Sequence, residues 1–166
     1  TMDYPLPAFL AHAIALEHEA AERYLELADM MEAHRNDEVS ALFRDMVRFS
    51  RLHHDSIVAR AQGIALPTLR SWQYRWTQPP EAGGEEAFDS ALDAYSALRY
   101  ARENEVRALD YYATVGQHSS DAEVKRLAGE FAAEETEHVE ALEDWLARTP
   151  RPSATFDADP ERPGSR

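Results

Sequence analysis

The chain contains no cysteine. That excludes a disulfide framework, a zinc ribbon, a thiolate nucleophile and an iron centre held by four cysteines. Lysine occurs once, at Lys125, so nearly all of the positive charge is arginine. With 17 basic against 31 acidic residues the formal net charge is −14. The clustered Lys and Arg that a nucleic-acid backbone demands are missing, so no nucleic-acid partner is expected. No stretch approaches the roughly 18 apolar residues of a membrane span, so no membrane partner is expected either. The N-terminus lacks a basic start followed by an apolar core, and no signal peptide is expected. These absences lead to the expectation of a soluble, cytoplasmic protein. Its 166 residues suffice for one domain with a proper core. The feature left to explain is where so many carboxylates go.

Four long segments are rich in Ala, Leu and Glu and almost free of Gly and Pro. They predict helices over about 7–34, 36–62, 85–115 and 120–148. Pro7 suits a first helical turn, where its missing N–H costs nothing. Gly63 is placed as a C-cap and Gly116 as the stop of the third helix. Ser120 and Glu123 have the spacing of a capping box. No segment alternates with period two, so no strand is expected. Two connections, near Arg35–Asp37 and Gln117–Ser119, read as tight helix–helix turns. The middle one, about 63–84, carries Pro67, Pro79, Pro80, Gly83 and Gly84 together with Trp72, Tyr74 and Trp76. Loops of this length are uncommon unless they do something. Beyond Pro150 the chain is Pro-, Asp- and Ser-rich, and residues 150–166 are expected to be a disordered tail on a domain spanning 1–149.

The two halves match. The first helix reads Leu10, Ala13, Glu17, Ala20, Tyr24, Leu27 along one stripe, and the third, 88 residues on, reads Leu98, Ala101, Glu105, Ala108, Tyr112, Val115. The second reads Val39, Leu42, Met46, Ser50, His53, Ile57, and the fourth, 85 residues on, reads Val124, Leu127, Phe131, Glu135, His138, Leu142. This 3–4 spacing is that of a bundle seam. Apolar seams resemble one another by chance, but Glu, Tyr and His recurring at equivalent places point to duplication. Halves related by a two-fold axis require the chain to return along the whole second helix, roughly 40 Å. The middle connection is long enough for that crossover, with its aromatic run packed along the bundle or in a dimer contact. The expectation is an all-α four-helix bundle with a long crossover between helices 2 and 3.

A Glu on a seam is costly unless it is paired or bound. Glu17, Glu105 and Glu135 all sit there, with His53 and His138. Glu135 and His138 form Glu-x-x-His, which puts both side chains on one helix face. A Glu from each of two helices and Glu-x-x-His from each of the other two is the ligand set of di-metal carboxylate bundles. Carboxylates balance the metal charge and bridge ions, while imidazoles supply neutral nitrogen. On Glu17 with Tyr24, Glu105 with Tyr112, and Glu135-Thr136-Glu137-His138, the sequence over about residues 8–148 resembles the ferritin-like superfamily, in its rubrerythrin-like branch. The resemblance implies Glu17 and Glu105 as terminal metal ligands, Glu135 as a bridging ligand, and His53 and His138 as one nitrogen ligand per metal. It implies Tyr24 and Tyr112 beside the ligands, hydrogen-bonding their carboxylates. Read from the residues alone, both tyrosines also suit core aromatics with a satisfied hydroxyl. The resemblance further implies iron, one or two ions, oxidised by peroxide or oxygen. Manganese and zinc suit the same ligand types.

The second helix departs from the pattern. Ser50 stands three residues before His53, where the family would place Glu. One bridging carboxylate is missing, and the position it serves should be weak unless a hydroxide or oxide bridge replaces the charge. The full pattern also carries an additional Glu on the third helix; Glu103 is near but on the wrong face. With no cysteine there is no rubredoxin-type electron-transfer site, so an external electron donor is expected. Three functions compete: a di-iron oxidoreductase of peroxidase or ferroxidase type, a metal-binding or iron-handling protein with one tight ion at Glu105, Glu135 and His138, and a degenerate structural bundle. His12, His18, His54 and His118, and Glu19, Glu22, Glu26, Glu134, Glu137 and Glu140, read as solvated. A homodimer is expected from the aromatic crossover, and the tail leaves room for a docking role.

Overall fold

The computed structural model describes residues 4–77 and 92–152. Four α-helices make up the bundle: α1 (Leu6–Ala33), α2 (Asp37–Arg60), α3 (Ala94–His118) and α4 (Ala122–Arg148). Among the described residues of the middle connection there is one 3-10 turn, Ser71–Gln73. No strand occurs among the described residues. The helix ends follow local chemistry. Pro5 precedes α1 and Pro7 lies in its first turn. The Asn36 side chain accepts from the Val39 amide and caps α2, and Asp93 does the same for Ser96 in α3.

Three boundaries differ from the sequence reading. The α4 cap is Asp121, whose carboxylate accepts from the amides of Glu123 and Val124, so the Ser120–Glu123 box is not the one formed. The aspartate is the better acceptor at the helix's positive end. Gly116 does not stop α3, which runs on to His118. A Cβ at Gly116 would meet Ala128 Cβ at 3.7 Å, so the glycine lies where α3 and α4 come close. Leu92 and Asp93 are not helical, and α3 starts only at Ala94. The expected start near Glu85, with Pro79, Pro80, Gly83 and Gly84, lies outside the described residues, as does the tail beyond Pro152. Gly63 has φ +82° just past α2, a left-handed conformation that favours glycine.

The core is layered along the bundle. One apolar cluster joins Tyr24, Leu27 and Met31 of α1 to Val39 and Phe43 of α2, Leu98 of α3 and Leu142 of α4. The other joins Phe9 and Leu10 of α1 to Ile57 of α2, Val115 of α3 and Leu127 of α4. The ends of the helices in each cluster fix the directions: α1 runs antiparallel to α2 and to α3, and α3 antiparallel to α4. Helices 2 and 3 are therefore parallel, and the chain must cross the length of the bundle between them.

The crossover is seen doing so. His12 Nε2 pairs with the Gln73 carbonyl at 3.0 Å. Further along α1, the Trp76 amide donates to Glu19. The Thr77 amide then donates to Asn104 of α3. The aromatic run divides: Trp76 is buried against Tyr24 and Tyr100, while Trp72 is 71% exposed. Two residues read as solvated are thereby corrected. Glu19 is buried because it holds the crossover backbone, and His12 is half-buried for the same reason. His54 is half-buried too, its ring tilted against that of His18 with centroids 6.1 Å apart and paired with Asp55, whereas His18 and His118 are exposed.

Candidate metal centre

Between the two apolar clusters lies a polar layer. Every seam position from the repeat is buried except Leu42, His53, Ala108 and His138, which are half-buried. The layer consists of Glu17 from α1, Ser50 and His53 from α2, Glu105 from α3, and Glu135 and His138 from α4. Glu17, Ser50, Glu105 and Glu135 are 3–4% exposed. All of them except His53 line one small internal cavity of about 10 Å³, with Asn104. That is room for about one water-sized probe. Ser50 therefore faces the site, as does Ala108, three residues after Glu105 where a second carboxylate on that face of α3 would stand. Glu103 is exposed, on the wrong face as expected.

Glu105, Glu135 and His138 come together. One ligand atom from each lies within 4.8 Å of the others, and the three form a group able to hold a metal ion. His138 Nδ1 is 3.3 Å from Glu135 Oε1 and 3.7 Å from Glu105 Oε1. Glu105 also accepts a 2.5 Å hydrogen bond from the Tyr24 hydroxyl. Glu17 and His53 form a separate pair, His53 Nδ1 lying 3.0 Å from Glu17 Oε2. The other ring nitrogen, Nε2, is 3.2 Å from Glu134 Oε1.

Burial and mutual repulsion set the protonation of this layer. Burial pushes Glu135 well above the usual carboxylate range, and the adjacent Glu105 adds to it. Burial acts on Glu105 in the same direction, but hydrogen bonds from Glu135 and His138, the imidazole's charge and the Tyr24 hydroxyl outweigh it, and Glu105 stays below its ordinary value. Of the pair, Glu135 is the carboxyl pushed toward its protonated form and Glu105 the one held toward its ionised form. Burial disfavours a charged His138, yet the two carboxylates overcome it and raise the imidazole to about 11. Glu17 is raised by burial, against the opposing pull of His53. His53 is raised because Glu17 and then Glu134 outweigh its desolvation.

The residues fit a cation. Two buried carboxylates side by side need either a proton or a positive ion between them. Carboxylate and imidazole donors suit iron, manganese and zinc alike. A further sign is Tyr112, whose hydroxyl is buried without a hydrogen-bond partner, although its counterpart Tyr24 has one. Sequence reasoning, through the resemblance alone, implied both tyrosines hydrogen-bonded to ligand carboxylates; Tyr24 forms such a bond and the Tyr112 hydroxyl forms none. It missed Asn104, which ties α3 to the crossover, and Glu134 and Phe49, which touch the two imidazoles. The repeat carried a signal for the last two, because the offset of 85 residues that pairs His53 with His138 also pairs Phe49 with Glu134.

A four-helix bundle with this crossover and a buried carboxylate–imidazole layer is a ferritin-like protein. The rubrerythrin family model matches residues 8–146. The chain belongs to the rubrerythrin family. It is similar to the crystal structure of an uncharacterised conserved protein from Magnetospirillum magnetotacticum MS-1, with 59% identity and a TM-score of 0.85 over 90% of this chain and 99% of that one. Comparison with curated proteins finds no match. No helix among the described residues is long and apolar enough to cross a membrane.

Proposed function

We propose that this chain binds iron in the polar layer and oxidises it with peroxide or oxygen, drawing electrons from an external donor. The observation that carries the reading is the buried Glu105–Glu135–His138 group, whose ligand atoms lie within 4.8 Å of one another. Iron supplies one electron per ion, so reduction of one peroxide to two waters takes two ferrous ions or two turnovers of one, with two protons. The protein's own part is to hold and release protons. Glu135 and His138 carry protons that a cation must displace. The Tyr24 hydroxyl fixes one oxygen of Glu105 and leaves the other beside His138, 3.7 Å from its Nδ1. A groove of about 580 Å³ between α2 and α4, reaching both His53 and His138, gives a small oxidant a short path from solvent. Anaerobic loading with ferrous iron followed by peroxide tests the proposal. Rapid oxidation by loaded protein is the expected result; loaded protein that leaves peroxide and iron unchanged sinks it.

A second reading, an iron-handling protein with one tight ion and no turnover, is favoured by the separation of Glu17 and His53 from the three-residue group. Elemental analysis separates the two, since about one metal per chain supports this reading and about two support the first. The homodimer and the cytoplasmic location belong to the proposal as well. Exposed Trp72 on the crossover is the surface that suits pairing.

A further inference from the structure

Helices α1 and α2 carry a second pair of histidines, away from the polar layer. His18 follows Glu17 on α1 and His54 follows His53 on α2, so each is turned by about 100° from its inward neighbour. The two rings meet across the α1–α2 contact, with centroids 6.1 Å apart and planes tilted by 50°. His18 is exposed and His54 half-buried, so solvent reaches the pair. The Asp55 carboxylate lies 3.2 Å from His54 Nδ1. Among the described residues, His54 Nε2 and both ring nitrogens of His18 form no hydrogen bond. The repeat shows that helix packing does not call for imidazoles here. The offsets of 88 and 85 residues place Val106 where the first half has His18, and Val139 where it has His54. Val106 is half-buried and Val139 buried.

The geometry points to a metal site on the outer α1–α2 face, in which His18 and His54 together hold a divalent ion of the zinc, nickel or copper class. Two imidazoles that share an ion, each bound through a nitrogen about 2.1 Å away, have ring centres at most about 6.5 Å apart. The observed 6.1 Å lies inside that limit. An ion held by His54 Nε2 and one nitrogen of His18 breaks no hydrogen bond of the chain. Asp55 stands at the other nitrogen of His54, where a ligating imidazole ordinarily has a carboxylate that orients the ring. Imidazole donors select zinc, nickel and copper over magnesium and calcium, which prefer oxygen. Water completes the coordination on this exposed face. A net charge of −14 raises the concentration of cations at the surface. The site shares no residue with the Glu105–Glu135–His138 group, so it stands or falls apart from the oxidation chemistry proposed there.

Zinc(II) titrated into the chelator-treated full chain tests the site, by calorimetry and by the ring ¹⁵N shifts of the histidines. The signals of His18 and His54 should move together at one zinc concentration. Those of His34 and His118, exposed without an imidazole beside them, should stay in place until far more is added. His18→Ala and His54→Ala should each remove the same calorimetric equivalent, and the double variant should remove no more than either alone. Asp55→Leu should weaken that equivalent by about 10–100-fold. Glu105→Ala, which disrupts the polar layer, should leave it in place. His18 and His54 signals that move independently, or no earlier than those of His34 and His118, overturn the proposal, and this readout needs no variant to fold. A double variant that takes up zinc as the wild type does overturns it too. An equivalent lost with Glu105→Ala as well as with His18→Ala puts the ion in the polar layer and overturns the outer site. An equivalent indifferent to Asp55→Leu overturns the role given to Asp55.

Discussion

Helices α1 and α2 bring Glu17, Ser50 and His53 to one half of the polar layer; α3 and α4 bring Glu105, Glu135 and His138 to the other. The two triplets occupy equivalent places in a repeated pattern, and Ser50 against Glu135 is their difference in composition. The single change alters the physics of each half. In the α3–α4 half, two buried carboxylates and an imidazole share protons, and Tyr24 anchors Glu105 at 2.5 Å. In the α1–α2 half, one carboxylate meets one imidazole, the tyrosine hydroxyl has no partner, and the outer ring nitrogen lies 3.2 Å from Glu134 without a hydrogen bond. Charge balance explains the contrast. A buried carboxylate pair cannot be left to itself and gathers donors, whereas a single carboxylate is satisfied by the nearest imidazole.

The largest effect is expected from removing the donors that make the halves unequal. Glu105→Ala or His138→Ala should abolish the tighter metal position, weakening it beyond the roughly 100-fold that loss of a supporting partner costs. Glu17→Ala should leave that position within a few-fold. Calorimetric titration with ferrous iron under anaerobic conditions reads both, and equal losses from Glu17→Ala and Glu105→Ala would erase the distinction between the halves.

The converse change should make the halves alike. Ser50→Glu puts a second bridging carboxylate into a cavity of about 10 Å³ already lined by three acids. In chelator-treated protein the variant should melt lower, because another buried carboxylate must be protonated or left unpaired. With metal present the order should reverse, and the second equivalent should tighten by about tenfold or more. Melting curves with and without metal decide it. A variant whose stoichiometry stays at that of the wild type would mean that the missing carboxylate is not what limits the α1–α2 half.

Protonation gives a third contrast. His138, raised to about 11, and Glu135, raised well above its ordinary value, both bind protons more tightly folded than unfolded. The folded chain therefore carries excess protons, and its stability without metal falls as pH rises. The His138 contribution is complete below about 6.5 and is lost as pH climbs toward 11. The Glu135 contribution has the same sign and is already being lost above about 4.5. A bound ion takes the place of those protons, so metal affinity should rise with pH over the same range. The proton release on binding should approach two for the α3–α4 half, measurable by titration in buffers of different ionisation enthalpy. A flat affinity from pH 6 to 8 would contradict the shared-proton description.

Much of this was legible in the sequence because repetition and buried charge are both written there. The seam stripes, the offset of Glu, Tyr and His, and the length of the crossover sufficed for the bundle and for the direction of the chain. Gly116 misled, because a glycine in a helix at a close helix–helix approach has the same spelling as one at a helix stop. Ser120 misled because Asp121, one residue on, is the stronger acceptor. Glu19 and His12 read as surface residues because nothing local announces that a distant crossover backbone will need them. Asn104 was invisible for the same reason: its partner, Thr77, is 27 residues away. The pairing of Glu134 with His53 depends on how α4 is rotated against α2, which no single-helix pattern states.

The smallest effect, and the sharpest probe of the asymmetry, lies with the tyrosines. Tyr24→Phe removes a hydrogen bond to a fully buried carboxylate, worth about 1.5–3 kcal/mol when the acceptor is charged. In a chain of this size that should lower the melting temperature of chelator-treated protein by roughly 3–10 °C. Tyr112→Phe removes a buried hydroxyl that has no partner, so the chain loses nothing and sheds an uncompensated polar group. Its melting temperature should stay within about 1 °C or rise slightly. With metal bound, the same Tyr112→Phe change reports whether the hydroxyl turns to Glu17, as its repeat partner does to Glu105. A loss that appears only in the loaded protein means that metal completes the α1–α2 half. An equal loss for both tyrosines in chelated protein means that the halves are already symmetric in solution, and the contrast between them would have to be abandoned.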